Sequence, residues 1–344
     1  MSHKLFSKSF SYIFVAVSSV SFIFGYALGE VYRKGVMEMY VFDLNGNQAA
    51  FIRTPNDTRI LINGGANSEI IRELTKILPF YSRKIDTVIT TDTDGKNVSG
   101  LIDILKRYSV EKVILPAITF ESLGISTSTD QIYSVFLDTI KEKGIAVERV
   151  KGGDRIVFDS SDTDHVIDDV NISSGVYADI LFPTDSESFK YSKASVPQIV
   201  MKISYGNNSV LLLNDATTKI QKFIASSDIT TASIADTVPS ASPNRSAPLR
   251  LAPGSVGSES ADALIVSTNA SPDNLAMEFI EKIKPKYLIY SKSLNSASPK
   301  SPSSNSKKEK IDPLFYLMDE YRFNVREKGV IRIISDGSEV TIED

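Results

Sequence analysis

Between Thr91 and Leu101 the chain reads Thr-Asp-Thr-Asp-Gly-Lys-Asn-Val-Ser-Gly-Leu, which places the carboxylates of Asp92 and Asp94 close to the ammonium of Lys96 and the amide of Asn97. Oxygen donors of this kind suit hard cations such as Mg²⁺, Mn²⁺ or Ca²⁺ better than zinc, whose ligands are mostly imidazole and thiolate. The chain holds 0 cysteines and 2 histidines, His3 and His165, so it cannot furnish a His-rich zinc centre or a thiol nucleophile. Lys96 opposes any cation, because like unit charges about 4 Å apart repel by ~4 kcal/mol at an effective dielectric near 20. The same ammonium beside a carboxylate is attractive. The arrangement expected is an internal ion pair around Lys96; a bound hard cation and a solvated loop are the two other ways of placing these charges.

Four further chemistries fit these residues poorly. Asp92, Asp94 and Gly95 match part of a calcium-binding loop between two helices, but its first and last ligand positions would be Thr90 and Leu101, where acidic residues are needed. A Ser-His-Asp triad would have to use His165, which lies among Asp162, Asp164, Asp168 and Asp169 and reads as a surface histidine in an acidic loop. Lys151-Gly-Gly-Asp154 reads as a turn before a strand and lacks the pattern of a phosphate-cradling loop. The basic pairs Arg83-Lys84 and Lys106-Arg107 read as solvated helix and strand ends beside the working edge of the domain, not as a nucleic-acid footprint.

Short apolar runs and helical stripes alternate around these residues. Strands are expected at Val36–Asp43, Ala49–Thr54 and Arg59–Asn63, the last two joined by a hairpin turn at Pro55-Asn-Asp57. A helix over Asn67–Leu78 follows from the apolar spacing of Ile70, Ile71, Leu74, Ile77 and Leu78. Next come strand Ile85–Thr90, helix Val98–Tyr108, strand Lys112–Leu115, helix Asp130–Lys143 and strands near Ala146–Val150 and Arg155–Phe158. Strands Ala178–Phe182, Ile199–Tyr205 and Val210–Leu213 lead to strand Ala263–Ser267, helix Asp273–Ile283, strand Tyr287–Tyr290 and helix Pro313–Tyr321. A hairpin of Val330–Ile334 and Glu339–Ile342 closes the pattern. Such a mixture of strands and helices predicts an α/β architecture with a large sheet core. Ser226–Ser260 and Ser293–Lys308 are rich in Ser, Ala, Pro, Thr and Lys, and are read as low-complexity surface insertions 226–260 and 293–308 within one domain, 36–344.

Composition sets the outer limits. A hydrophobic content of 42% supports a sizeable core and excludes global disorder. With 38 basic against 42 acidic residues the net charge is −4, which gives no general attraction to nucleic acid or anionic lipid. Without cysteine there are no disulfides, and the redox compartment stays open. Residues 1–8 form a short basic N-terminus, and Ser9–Gly29 carries no charged residue. Roughly 20 such residues span a bilayer as a helix, and the run exceeds the about 7–15 apolar residues of a signal-peptide core. An uncleaved transmembrane signal anchor over 9–29 is expected, with Ala27-Leu-Gly29 as the cleavage site of the alternative. The basic leader puts the domain outside, in a single-pass membrane protein with an extracytoplasmic domain.

The order of these segments, with the residues at their ends, resembles the metallo-β-lactamase-like domain at the C-terminus of ComEC-type DNA-uptake competence proteins. The family's D-V-G-Q-G-D-A corresponds to Asp43-Leu-Asn-Gly-Asn-Gln-Ala49, and its R-T-P…I-L-I-D-G-G to Arg53-Thr-Pro55 and Ile60-Leu-Ile-Asn-Gly-Gly65, with Asn63 in place of Asp. Its metal motif T-H-x-D-x-D-H-x-G-G-L falls on Thr91–Leu101, so that the two histidines become Asp92 and Asn97 and the second carboxylate becomes Lys96. The bridging Asp of L-T-G-D is kept as Asp215, and A-D-V-L-K-V-G-H-H-G-S falls on Ala261–Ser271, where Thr268 and Asn269 replace the histidine pair. The resemblance implies an αββα four-layer sandwich whose vestigial metal-site positions are Asp92, Asp94, Lys96, Asn97, Asp215, Thr268 and Asn269. The departures from the family's pattern leave no zinc site and no catalytic residue expected, with Mn²⁺ or Mg²⁺ as the cation such a site would take. The function expected is a membrane-anchored, catalytically inactive binding or assembly module with a protein partner not readable from the chain. The alternative is a non-zinc metal-dependent phosphodiesterase or nuclease-like hydrolase using Asp92, Asp94 and Asp215. A nucleic-acid partner and a link to DNA uptake rest on the resemblance alone.

Overall fold

The computed structural model describes residues 17–18, 35–79, 81–119, 121–123, 131–159, 175–192, 197–227, 249–250, 260–267, 275–291 and 319–344. The expected anchor over 9–29 lies outside these apart from residues 17 and 18, and so do Thr268, Asn269 and His165. Among the described residues no helix is long and apolar enough to cross a membrane.

The first half of the chain builds one sheet. Strands β1 (Met37–Leu44), β2 (Asn47–Arg53) and β3 (Arg59–Ile62) pair antiparallel through tight turns. Strands β4 (Lys84–Ile89), β5 (Ser109–Pro116) and β6 (Ala146–Val150) then add in parallel after β3. Each parallel step needs a crossover. Helices α1 (Glu69–Ile77), α2 (Gly95–Arg107) and α3 (Gln131–Lys143) supply them.

The second sheet repeats the plan. Strands β7 (Asp154–Asp159), β8 (Val176–Phe182), β9 (Val200–Tyr205) and β10 (Asn208–Asn214) form an antiparallel meander. Strands β12 (Ala263–Val266), β13 (Tyr287–Tyr290) and β14 (Arg322–Asn324) continue it in parallel. Helices α4 (Thr218–Ser226) and α5 (Met277–Ile283) lie on the crossovers, and the short β11 (Leu249–Arg250) borders β7. A single-turn helix α6 (Val325–Lys328) leads back to β15 (Val330–Ser335) and β16 (Val340–Glu343), which rejoin the first sheet beside β1. The two eight-stranded sheets run β16-β15-β1-β2-β3-β4-β5-β6 and β11-β7-β8-β9-β10-β12-β13-β14.

Burial shows how the layers stack. Met39, Val41, Ile52, Ile62 and Ile331 of the first sheet meet Ile156, Ile180, Met201, Ile203, Leu212 and Ile265 of the second in a core between the sheets. On the outer face of the first sheet, Phe42, Phe51, Leu61 and Val88 pack under Leu74 of α1, Leu101 and Ile104 of α2 and Phe136 of α3. On the outer face of the second, Phe182, Leu211 and Leu264 pack under Ile220 of α4 and Phe279 and Ile280 of α5. The layers are helix, sheet, sheet, helix. Strand β10 is buried along its whole length, which is why it reads as an apolar run without alternation. Between β7 and β8 the guanidinium of Arg155 grips Asp179 in two hydrogen bonds of 2.5 and 2.9 Å, a buried ion pair that satisfies both charges.

Two expectations are corrected and one element is additional. Helix α2 starts at Gly95, ahead of the expected Val98, because Asp94 takes an extended conformation and its side chain accepts from the Lys96 amide, capping the first turn. Of the helix expected at Pro313–Tyr321, the described residues Asp319–Tyr321 form a 3₁₀ turn. Helix α4 was not expected at all, since its apolar residues Ile220, Phe223 and Ile224 span barely two turns beside the Ser-rich stretch.

Candidate functional site

The loops after β1, β3 and β4 converge with the ends of β10 and β12 on one cleft of about 240 Å³. Ligands of α/β proteins gather outside the carboxyl ends of parallel strands in this way. Its lining has no apolar side chain: Asn45 comes from the β1–β2 turn, Asn47 and Gln48 from the start of β2, Asn63 and Thr91 from just beyond β3 and β4, and Asp94, Lys96 and Asn97 from the start of α2. Asn214, Asp215 and Ser267 complete it from the second sheet. The structure thus brings together Asp94, Lys96, Asn97 and Asp215, with Asp92 buried beside them at 5% exposure. Thr268 and Asn269 lie outside the described residues, directly after Ser267, which lines the cleft.

Backbone geometry fixes the floor. Asn63 adopts φ 59° and Asn214 φ 49°, left-handed conformations that asparagine tolerates better than most residues. The Asn63 side-chain oxygen Oδ1 accepts from the Thr91 backbone amide at 3.0 Å, tying the end of β3 to the loop after β4. The Asn214 side-chain Nδ2 donates to the Ile199 carbonyl at 2.8 Å, and the Ile199 backbone amide in turn donates to the Thr91 carbonyl at 2.6 Å. These bonds stitch the two sheets together at the cleft. Gly64 and Gly100 allow α2 to approach so closely that a Cβ on Gly100 would lie 2.0 Å from the Gly64 carbonyl oxygen.

The charges are arranged differently from the expected ion pair. The Lys96 side chain is 68% exposed, with Nζ 3.9 Å from a half-exposed Asp94 carboxylate. Lying in the first turn of α2, it points outward to solvent, where such a pair contributes little. The buried carboxylate is served by Asn97 instead: Asn97 Nδ2 donates to Asp92 Oδ2 at 2.8 Å, and the Asp94 backbone amide donates to Oδ1 at 2.9 Å. Burial pushes the Asp92 carboxyl up to about 7; the nearby carboxylates of Asp215 and Asp94 add to this, and the two hydrogen bonds only partly offset it. Asp215 accepts a hydrogen bond from the Ser267 hydroxyl. At the start of the first motif, Asp43 takes hydrogen bonds from the Gly46 amide and the Ser291 hydroxyl, both at 2.5 Å, and closes the β1–β2 turn against the second sheet.

The basic pairs lie elsewhere. Arg83 and Arg107 line a separate cleft of about 200 Å³ with Tyr108, Ile71 and Leu78 at the opposite end of α2, which corrects their expected place beside the working edge. Lys84 pairs with Asp86 and Glu111.

No family model matches this sequence, and no curated protein sequence is similar to it. Solved structures that resemble it include the metallo-beta-lactamase fold protein YhfI from Bacillus subtilis, at 11% identity and a TM-score of 0.38 over 74% of this chain and 85% of that one. A second is CmlA, a diiron beta-hydroxylase from Streptomyces venezuelae, at 14% identity and a TM-score of 0.40, of which this chain spans 44% with 73% of its own length. Rm3 metallo-beta-lactamase follows at 12% identity and a TM-score of 0.35, over 73% of this chain and 74% of that one. What they share with this chain is the mixed α/β fold with two sheets, and no residue role is carried over from them.

Proposed function

We propose that the protein is a non-catalytic relative of metallo-β-lactamase-like hydrolases, a membrane-anchored extracytoplasmic module that binds a ligand or partner through the cleft where such enzymes would hold metal. The observation that carries this reading is the state of Asp92. Both of its oxygens are engaged, one by the Asp94 amide and one by Asn97 Nδ2, and burial raises its carboxyl to about 7, so that it holds its proton more firmly than an exposed carboxylate does. A metal ligand must give up its proton. The group that would have to serve as a ligand is therefore already satisfied by an amide. Among the described residues no group of three or more His, Cys, Asp or Glu side chains is placed to hold a metal ion. The donor set does not fit zinc.

The second reading, a hydrolase that uses Mn²⁺ or Mg²⁺, draws on the nearness of three carboxylates: Asp94 and Asp215 line the cleft, and Asp215 is close enough to act on Asp92 electrostatically. Metal analysis of the purified protein, with hydrolysis of a generic phosphodiester measured with and without Mn²⁺, separates the two. A module without catalysis contains no stoichiometric metal and shows no turnover. Mn²⁺-dependent hydrolysis that disappears in Asp215→Asn would replace this reading with the second. A link to DNA uptake draws on the sequence resemblance alone, and the net charge of −4 gives it no electrostatic support.

A further inference from the structure

Strands β1, β3, β4 and β5 run in one direction, so their first residues Met37, Arg59, Lys84 and Ser109 share the end of the domain opposite the polar cleft. The chain enters the domain at this end, where the Gly35 carbonyl accepts from the Tyr205 hydroxyl at 2.8 Å. From Gly29, the last residue of the proposed anchor, to Gly35 the chain reaches at most about 22 Å even when fully extended. With 9–29 in a bilayer, this end is held within that reach of the lipid surface, and the polar cleft lies at the far end of the strands.

The cleft of about 200 Å³ opens at this same end, where α1 and α2 finish. Ile71, Leu78 and Pro79 give it an apolar wall, and Ser82, Arg83, Arg107 and Tyr108 a polar one. Neighbouring cations are already matched, Arg59 by Asp57 and Lys84 by Asp86 and Glu111. Arg83 and Arg107 are exposed, and among the described residues no carboxylate pairs with either. Burial raises the Tyr108 hydroxyl and the charges of Arg83 and Arg107 oppose the rise, which places both guanidiniums about one oxygen. Two like charges so placed repel until an anion lies between them, and the guanidinium fork fits phosphate oxygens. Arg107 also complements the dipole at the end of α2, a role that needs no ligand; Arg83, on the loop before β4, has no such role. Next to it in the chain Tyr81 is 63% exposed, and tyrosine gathers at membrane–water interfaces.

Resting on the proposed anchor, we infer that this cleft seats the phosphate of an anionic phospholipid in the membrane that tethers the chain. Arg83 and Arg107 hold the phosphate, and Ile71, Leu78 and Pro79 meet the glycerol and the first acyl carbons. The net charge of −4 does not oppose this, because charges further than about 8 Å away are screened at physiological salt and the contact is local. The domain then rests on the bilayer with its polar cleft turned outward.

Hydrogen exchange of the full-length protein in lipid nanodiscs tests this. Adding phosphatidylglycerol to phosphatidylcholine discs should slow exchange over 78–83 and 105–109 by about threefold or more and leave 91–97 unchanged. Arg83→Gln with Arg107→Gln should abolish the difference, and each single variant should reduce it; an unchanged melting temperature shows that the fold is kept. Equal exchange in the two kinds of disc, or a difference that survives the double variant, overturns the inference. Millimolar inorganic phosphate added to phosphatidylcholine discs should protect neither segment; protection there would reveal a site for free phosphate and overturn the lipid source. Carbonate washing reads the anchor separately. A protein stripped from membranes ends the anchor reading, and is then pelleted with phosphatidylglycerol vesicles: binding that needs the arginine pair keeps the inference, and lack of binding overturns it.

Discussion

Asp92 shows how the same four residues can be present in a motif and yet be used differently. The sequence predicts a carboxylate near a cation, while the fold gives Asp92 an amide partner and turns the ammonium of Lys96 outward. Residue types along Thr91–Leu101 were legible, but the direction of each side chain depends on where α2 begins, and that is set by Asp94 acting as the cap. A pH dependence follows. The folded-state value of Asp92 lies near 7, above its unfolded value, so the folded protein binds the extra proton between about pH 4 and 7 and loses stability as pH rises through that window. Asp92→Asn removes this titration; chemical denaturation as a function of pH should show a flatter profile, with the variant more stable than the parent by a few kcal/mol at pH 8. A variant profile parallel to the parent would show that Asp92 is ionised throughout. Lys96→Ala should change unfolding stability by no more than about 0.5 kcal/mol, as for other exposed side chains. A loss of several kcal/mol would restore the internal ion pair that the sequence suggested.

At the scale of elements, the strands were the most readable part. The runs of β1 to β5 and the hairpin of β2 and β3 followed from apolar patterning and from the turn at Pro55-Asn-Asp57, because both sheets are covered on two sides and leave long apolar stretches. The elements missed were those whose burial comes from a neighbour. Helix α4 is short and has no side-chain cap bond, and it is held by Phe182, Leu211 and Phe279 beneath it. The junction of β3 with α2 was legible as a glycine pattern but not as a contact: Gly64 donates to the Asn97 carbonyl at 2.8 Å, and Gly100 to that of Gly65 at 2.9 Å. Gly100→Ala would force a methyl group into the Gly64 backbone, which has no side chain to move aside. The expected result is a destabilisation of about 1–3 kcal/mol, measured by denaturant melts, together with weaker binding in the cleft, since Asp94 and Asn97 ride on the displaced helix. Unchanged stability would mean that the two segments lie further apart than described.

For the molecule as a whole, the proposed anchor over 9–29 is the feature that decides where the cleft works. The protein should remain with membranes after carbonate washing, and protease added to spheroplasts should digest the domain. Release of a fragment beginning near Glu30 would instead identify a cleaved leader. A different consequence follows from the return of the chain to its starting sheet. Strand β1 pairs on one side with β2, its neighbour in sequence, and on the other with β15, Met37 facing Ser335. While the chain emerges from the ribosome, at about 5–20 residues per second, β1 has one edge open for tens of seconds. Exposed edges of this kind recruit other strands. The nascent domain therefore passes through a long interval in which most of its strands exist while the partner of that edge, β15, is still to come.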